Sequence, residues 1–319
     1  MVFQGIDHEI QRLYVHWDIT TMCNYQCNYC YAEKHYSDRD SWQKEASNKD
    51  IDLIIKSLSL STLPVFLGLL GGEPTTSRNY EYIIHQVQQK ILPLNDRNRL
   101  YITTNLSKNL EYWKQHPKIN NTFILASFHP EHNTTKESIE IFIEKLLYLR
   151  KYFKVKVNIM LDPNYDNINF MWEELILKHK LNKYVIIHPH IIYPNGSPFN
   201  NLDKIYKTSL DKYERLFQYA PHEFEFDGVP MKDIDIFSQK RNSFTSWDCY
   251  QNNYEISFDG FVTNICFTKR VKLSQNPLFF RNIKRIRPRT CQKDFCNCDG
   301  LLKCRKENVN LINDTGTNS

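Results

Sequence analysis

Short runs of β-branched and aromatic residues alternate with segments of helical periodicity, and this alternation constrains the fold more than any other feature. Six runs have the length and composition of strands: residues 13–19, 65–70, 99–104, 123–128, 154–161 and 184–192. Three segments between them repeat apolar residues at i, i+3, i+4 and i+7: 51–58, 80–87 and 139–147. Because strands and helices alternate, we predict an α/β fold with a mainly parallel sheet.

Two unusual segments follow the first two predicted strands, where a parallel α/β sheet gathers its chemistry. The first, "CNYQCNYCY", places three of the nine cysteines within eight residues, at Cys23, Cys27 and Cys30. A structural zinc site would need a fourth ligand, and haem attachment would need a histidine where Tyr31 stands. Three thiolates on a [4Fe-4S] cube leave one iron with an open coordination position.

The Cys-x3-Cys-x2-Cys spacing, with the aromatic Tyr29 before the last cysteine, resembles the signature of the radical S-adenosylmethionine (SAM) enzymes. Four residues after the second strand are similar to the family's segment that binds the SAM amino group: Gly71, Gly72, Glu73 and Pro74. The resemblance covers about residues 10–195. It implies a partial (β/α)6 barrel, with SAM chelated at the open iron. It also implies reductive cleavage of SAM to a 5′-deoxyadenosyl radical, which abstracts a hydrogen atom from the substrate.

Two further strand ends extend this resemblance. "ITTN", with Thr104 and Asn105, is similar to the family's third-strand segment near SAM, and Ser127 in "ASFHPEH" stands where a ribose contact is common. We expect these residues to bind SAM, with simple polar capping of the strand ends as the alternative. His129 and Glu131 are candidate substrate or SAM contacts, although a hydrogen-bonded structural histidine is the more common case.

The remaining six cysteines lie near the C-terminus: Cys249, Cys266, Cys291, Cys296, Cys298 and Cys304. The Asp-Gly dipeptide in "ISFDGFV" predicts a β-hairpin that brings the first two together. The region resembles the SPASM or twitch extension of radical SAM enzymes, which implies an auxiliary [4Fe-4S] cluster, with structural zinc as the alternative. We expect Cys249, Cys266 and two of the next three cysteines as ligands, and we rank Cys304 last.

The pattern of elements predicts the domain organisation. A radical SAM core is expected over residues 1–198, a bridging segment over 199–248, an auxiliary-cluster module over 249–306 and a disordered tail over 307–319. With 22 residues before the first cysteine, we expect no fused leader-binding domain.

Composition limits the cellular compartment and the kinds of partner expected for this protein. No run of eighteen apolar residues occurs, and Asp7 and Glu9 interrupt any signal peptide, so we expect a cytoplasmic protein without a membrane partner. Cysteines confined to two groups favour metal sites in a reducing compartment over disulfides. The net charge of +5 comes from residues 269–306, which hold twelve Lys or Arg and two acids. This basic excess indicates a solvated surface or a site for an acidic peptide, a phosphate or a nucleic acid.

Three functions compete at this stage. The first is a maturase that modifies a peptide or protein, and the second is a twitch-type oxidoreductase of a sugar or nucleotide. The third is a non-catalytic iron-sulfur or zinc protein that binds nucleic acid, which leaves the GGEP segment unexplained. Both enzymes imply a one-electron reductant such as flavodoxin or ferredoxin.

Overall fold

The computed structural model describes residues 1–27, 29–30, 44–161, 178–191, 211–238, 241, 243–264, 267–292, 296 and 303–308. Its strands are β1 Val2–Gly5, β2 Leu13–Thr20, β3 Val65–Gly71, β4 Arg99–Thr104, β5 Thr122–Phe128, β6 Lys154–Leu161, β7 Ile186–Ile191, β8 Phe224–Phe226, β9 Val229–Met231, β10 Asp248–Cys249, β11 Asn253–Ile256, β12 Phe261–Asn264, β13 Phe267–Lys272, β14 Arg289–Thr290 and β15 Lys306–Glu307. Its α-helices are α1 Asn48–Ser59, α2 Tyr80–Lys90, α3 Leu110–Gln115, α4 Lys136–Leu149 and α5 Asp233–Ser238.

The main sheet contains all six predicted strands, as β2 to β7. In the described residues its order is β13-β12-β11-β2-β3-β4-β5-β6-β7, and every neighbouring pair from β11 to β7 is parallel. The three periodic segments form α1, α2 and α4, each between two of these strands. The α/β fold with a partial barrel is therefore confirmed, and the described strands form an open sheet.

The two faces of the main sheet differ in polarity. Along β2, Leu13, Val15, Trp17 and Ile19 are fully buried against α1, whose buried side is Ile51, Ile54, Ile55 and Leu58. The alternate residues of β2 point to the opposite face, which we call the lumen because the sheet curves around it in barrels of this kind. Helix α1 begins at Ser47, whose side chain accepts the Asp50 N–H, and α4 begins with a capping box between Thr135 and Ser138.

The predicted Asp-Gly hairpin is present, and it extends the main sheet. β11 and β12 pair in antiparallel fashion around a turn in which Gly260 has a φ of +79°. β11 also pairs in parallel with β2, so that Glu255 lies opposite His16. A strand from the C-terminal part of the chain therefore forms one wall of the lumen.

A second sheet joins the two ends of the chain. In the described residues its order is β14-β10-β15-β1-β8-β9, with all pairs antiparallel. β1 is sandwiched between β15 and β8, and its Phe3 packs in a separate apolar cluster with Phe224, Phe244 and Trp247. The N-terminal strand thus belongs to the C-terminal module.

The predicted domain boundaries stay predictions, because residue 198 lies outside the described residues. Within the segment predicted to be a bridge, residues 211–217 are helical, and β8, β9 and α5 follow them. Among the described helices, none combines the length and the apolar character needed to cross a bilayer.

Candidate functional site

The first three cysteines lie in the loop that leaves the carboxyl end of β2, here called the Cys loop (residues 23–30). The Cys30 N–H donates to the Cys27 carbonyl (2.9 Å), and the Tyr25 N–H donates to Cys23 Sγ (3.4 Å). Cys23 is exposed, Cys30 is partly buried and Cys27 is buried. Burial raises the pKa of Cys23 to about 11 and also raises that of Cys27, so both are neutral thiols until a metal displaces their protons.

The two glycines after β3 pack against the chain that enters the Cys loop. The Gly72 N–H donates to the Thr20 carbonyl (2.9 Å), and the Glu73 N–H donates to the Met22 carbonyl (2.8 Å). A Cβ on Gly71 would lie 2.0 Å from the Thr20 oxygen, and one on Gly72 would lie 2.1 Å from the Met22 oxygen. The glycines are therefore needed to hold the Cys loop against β3.

The Glu73 carboxylate connects the ends of β3 and β4. It is 1% exposed and accepts hydrogen bonds from the hydroxyl and N–H of Thr75 (2.6 and 3.2 Å), the Thr104 hydroxyl (2.8 Å) and the Asn105 N–H (2.7 Å). Burial raises the pKa of Glu73 although these donors oppose the shift. Pro74, which follows, is buried and begins a single 3₁₀ turn. Both carboxylate oxygens serve as structural acceptors in the protein.

A pair of asparagines ties the end of β4 to the Cys loop. The Asn105 side-chain amide donates to Asn24 Oδ1 (3.0 Å), and its own oxygen accepts the Ser107 N–H (2.9 Å). The structure thus brings Glu73, Thr104 and Asn105 together beside the cysteines, whereas Ser127 lies on β5, partly buried and facing the lumen. Their contacts with SAM remain predictions.

Histidines from the loop after β5 surround Cys27. His129 Nδ1 lies 2.7 Å from the Tyr29 hydroxyl and 3.4 Å from Cys27 Sγ, and burial lowers the pKa of His129 to about 4. The Tyr25 ring stacks on His132 at 4.0 Å. Ligand atoms of Cys27, Glu131 and His132 all lie within 4.8 Å of one another. These rings and the Glu131 carboxylate therefore lie close to Cys27.

The C-terminal thiols form a second group in the antiparallel sheet. Cys249 on β10 hydrogen-bonds with Cys304, and Cys296 lies close enough for its charge to act on Cys249. Cys291 packs with Cys296 at the edge of the Phe3 cluster. Cys266 and Cys298 lie outside the described residues. The structure therefore places Cys304, which the sequence ranked last, beside Cys249.

Polar groups around Cys304 favour its thiolate. Cys304 is fully buried, and the Asn253 side-chain amide donates to its Sγ (3.0 Å). Burial opposes ionisation, but hydrogen bonds from the Cys249 thiol and from His8, together with the buried Lys306 cation, lower the pKa of Cys304. A buried thiolate with such donors is a suitable metal ligand.

The Cys loop fits a three-thiolate cluster. Cys23 is near enough to Cys27 and Cys30 for their charges to interact, and within the described ranges no fourth cysteine joins them. Thiolates favour iron-sulfur centres, and three of them leave an open iron.

The family comparison agrees with this geometry. The model of the Radical SAM superfamily matches residues 17–171, a range that contains the Cys loop, the 71–74 segment and the end of β4. Residues 17–171 form a radical SAM domain. The predicted resemblance to radical SAM enzymes is thereby confirmed, and a [4Fe-4S] cluster and SAM are the cofactors of that superfamily.

The chain is also similar to individual radical SAM proteins. It is 30% identical over 119 residues to the GTP 3′,8-cyclases of Actinobacillus pleuropneumoniae serotype 5b (strain L20) and serotype 3 (strain JL03). This match covers 36% of the chain and 33% of each relative, so the chain spans about a third of their length. The solved structure of anSMEcpe with bound AdoMet is 13% identical with a TM-score of 0.55, covering 86% of this chain and 80% of that one. This structural likeness shows the shared fold.

Sequence reasoning missed several polar residues near the site. Asn24 gave no signal, because its partner Asn105 is distant in sequence. His16 and Asp18 did give one: within "LYVHWDI" they alternate with apolar residues that pack on α1, so period-two alternation places them on the lumen face. Glu255 joins them through the β11–β2 pairing, which the hairpin signal alone does not predict.

Proposed function

We propose that this radical SAM enzyme modifies a peptide or protein, with Cys23, Cys27 and Cys30 holding its SAM-binding [4Fe-4S] cluster. The observation that carries the cluster assignment is the convergence of the three thiols with the ends of β3 and β4, through the Thr20–Gly72 and Asn24–Asn105 hydrogen bonds. The chemistry that the bound cluster and SAM supply is reductive cleavage of SAM to a 5′-deoxyadenosyl radical.

The chain's own residues position this chemistry. Glu73 fixes the ends of β3 and β4 beside the Cys loop through its four hydrogen bonds. His129 orients the Tyr29 hydroxyl beside Cys27. Tyr25 and His132 limit the access of water to the Cys loop.

A second metal centre is part of the proposal. We assign Cys249, Cys296 and Cys304 as ligands of an auxiliary [4Fe-4S] cluster, because the structure places these thiols together. This replaces the sequence-based ranking, in which Cys304 stood last. Cys266, Cys291 and Cys298 are the candidates for the remaining position.

Two observations support a peptide substrate. Proteins of the same fold have been solved with a peptide: the anSMEcpe structure with AdoMet and the Cp18Cys peptide is 14% identical, with a TM-score of 0.52 over 86% of this chain and 82% of that one. An exposed basic strip also precedes Cys291, where four cations have no ion pair to another described residue: Arg281, Lys284, Arg285 and Arg287. Such a strip suits an acidic segment of a peptide.

A nucleotide or another small molecule is the second candidate. The match to GTP 3′,8-cyclase favours it, although that match spans a third of the relative. The described lumen cations Lys156 and Lys303 are both paired with Glu223, which makes the lumen a poor site for a triphosphate.

Iron content tests the cluster assignments. Anaerobically reconstituted protein is expected to hold about eight irons per chain. Cys27→Ala should lose about half of them, together with 5′-deoxyadenosine formation under dithionite and SAM. Cys249→Ala should lose the other half and keep the SAM-induced change in the electron paramagnetic resonance spectrum of the first cluster, which makes each variant the control for the other. Unchanged iron in Cys27→Ala contradicts the proposal.

Product analysis tests the substrate class. The holoenzyme is incubated with SAM, dithionite and either peptides encoded near its gene or a set of nucleotides and sugars, and each mixture is examined by mass spectrometry. A peptide mass change with matching 5′-deoxyadenosine supports the maturase. A modified nucleotide or sugar, with all peptides unchanged, selects the second candidate.

A further inference from the structure

Four titratable side chains meet in the lumen, away from the Cys loop. We call His16, Asp18, Tyr101 and Glu255 the lumen cluster. Its members come from three neighbouring elements, β2, β4 and β11. The Tyr101 ring lies across β3 over Gly68, where an added Cβ would be 2.0 Å from Cζ, and it meets the His16 ring edge-on at 5.9 Å. Gly68 therefore makes the room that lets Tyr101 reach β2.

The side chains of the lumen cluster do not satisfy one another's hydrogen-bonding groups. In the described part of the chain, the side chains of its four members make no hydrogen bond or ion pair. Thr103 Oγ1, two residues beyond Tyr101, is buried without a partner. By contrast, Glu223 across the lumen pairs with Lys156 and with Lys303 (3.2 Å). Asp18 is partly buried and Glu255 is exposed on the lumen face. Leaving the partly buried Asp18 carboxylate unpaired costs free energy, which a ligand that donates hydrogen bonds would recover.

The charges of the neighbouring groups define that ligand. Burial and the charge of Glu255 raise the pKa of Asp18 to about 7, whereas burial and Lys303 lower the pKa of His16 to about 4. His16 is therefore neutral at pH 7, burial keeps Tyr101 protonated, and β3 contributes no titratable group beside Asp18. Two acids face the lumen, and Lys303, the cation whose charge acts on His16, is paired with Glu223. The local excess of acceptors and negative charge suits an organic cation.

We propose that the lumen cluster binds a cationic nitrogen group of the substrate, an ammonium or guanidinium, through the Asp18 and Glu255 carboxylates. The inference rests on the proposed function, and in a peptide substrate it assigns a Lys or Arg side chain, or the N-terminal amine, to this position. Asp18 precedes Thr20 by two residues, a distance of about 7 Å along a strand. The bound cation therefore lies two residues along β2 from the end of the strand that leads into the Cys loop.

A stability comparison tests the cluster without a known substrate. Because folding raises the pKa of Asp18 from 3.8 to about 7, its cost to stability is full above pH 7 and fades as the pH falls towards 3.8. Asp18→Asn should therefore raise the Tm of the holoenzyme by several degrees at about pH 8.5 and by less at about pH 6. The matched control is Glu223→Gln, which removes a paired carboxylate and should lower the Tm at both values. Iron content should stay at the parent level in both variants. A lower Tm for Asp18→Asn at about pH 8.5 means that Asp18 has a structural role, and it overturns the inference.

A peptide series tests the ligand class. Synthetic peptides that differ in one residue, Lys, Arg, norleucine or Glu, are compared by product mass and 5′-deoxyadenosine. We expect kcat/KM for the Lys or Arg peptide to exceed that for the norleucine peptide by at least about tenfold, and we expect Asp18→Asn to abolish most of this preference. Modification with no preference for a cation overturns the inference and leaves the proposed function standing. Failure to modify any peptide counts against the proposed function, and the Tm comparison then decides the inference alone.

Discussion

At the scale of single residues, the site is built by close backbone contacts rather than by side chains that reach towards a ligand. Gly71 and Gly72 let β3 approach the chain that enters the Cys loop. Both oxygens of the Glu73 carboxylate already accept hydrogen bonds from within the protein. The sequence pattern "GGEP" is therefore explained here by chain packing as much as by binding. This view makes the glycines more sensitive to substitution than an exposed binding loop would be.

Gly72→Ala should disrupt the Cys loop. The new Cβ meets the Met22 carbonyl, a backbone atom that has no room to move, so we expect a loss of more than about 3 kcal/mol in stability and of iron from the first cluster. The measurements are thermal unfolding and iron content. Gly228→Ala is the control: it has a φ of +80° but no atom within 4 Å, and it should cost about 1 kcal/mol with iron unchanged. Equal iron in both variants would contradict this account.

His116 should make the fold sensitive to acid. Its Nε2 lies 2.8 Å from the buried Tyr80 hydroxyl, and burial lowers its pKa from 6.5 to about 4. Because the unfolded chain takes up this proton first, stability is fully present above pH 6.5 and falls as the pH drops towards 4, by roughly 3 kcal/mol. His116→Gln should flatten that part of the profile in denaturant titrations, whereas His85→Gln on the exposed side of α2 should follow the parent. A parent-like slope in His116→Gln would refute the assignment.

At the scale of elements, the sequence predicts the barrel strands well and their partners poorly. β4 and β6 have the bounds that their composition indicates, and α1, α2 and α4 follow their apolar periodicity. Period-two and period-3.6 patterns record which side of an element is buried, so they locate elements reliably. They carry no information about which distant strand lies alongside. The sequence therefore could not predict three long-range features: the β11–β2 pairing, the position of β1 and the Cys249–Cys304 contact.

Asn252 should be the most sensitive residue in the connection between the chain ends. Its fully buried amide donates to the carbonyls of Glu9, Ile10 and Arg12 (2.9, 3.1 and 2.7 Å), while its oxygen lies 2.7 Å from His8 Nε2. Asn252→Asp replaces this donor with an acceptor and should cost roughly 3 to 5 kcal/mol, measured by chemical unfolding. Asn282→Asp, which is exposed, is the control. A cost below about 1 kcal/mol for Asn252→Asp would show that the connection is made elsewhere.

At the scale of the whole molecule, two sheets share one chain in an interlocked order. The N-terminal strand β1 belongs to the antiparallel sheet, and the chain then builds the main sheet from β2 to β7. It returns to the antiparallel sheet with β8 to β10 before β11 joins the main sheet. Each proposed metal centre sits on a different sheet. Damage to one sheet should therefore release one centre first.

Phe3→Ala should separate the two centres. Phe3 is fully buried, lies 4.8 Å from Phe244 and 5.7 Å from Phe224 between ring centroids, and should cost about 3 to 5 kcal/mol when truncated. We expect the variant to lose the iron held by the C-terminal thiols and to keep the SAM-responsive signal of the Cys loop. Leu94→Ala, at a residue that is 59% exposed, controls for general handling losses. Simultaneous loss of both centres from Phe3→Ala would contradict this division.

The parallel pairing of β11 with β2 has a consequence for engineering. Asp18 and Glu255 face the same space although more than two hundred positions separate them in the sequence. The C-terminal module therefore supplies part of the wall of the lumen, where we propose that the substrate binds. Grafting that module from one homologue onto the barrel of another would change substrate selection as well as the distal metal centre. A chimera of this protein should therefore exchange β11 and β2 as one unit.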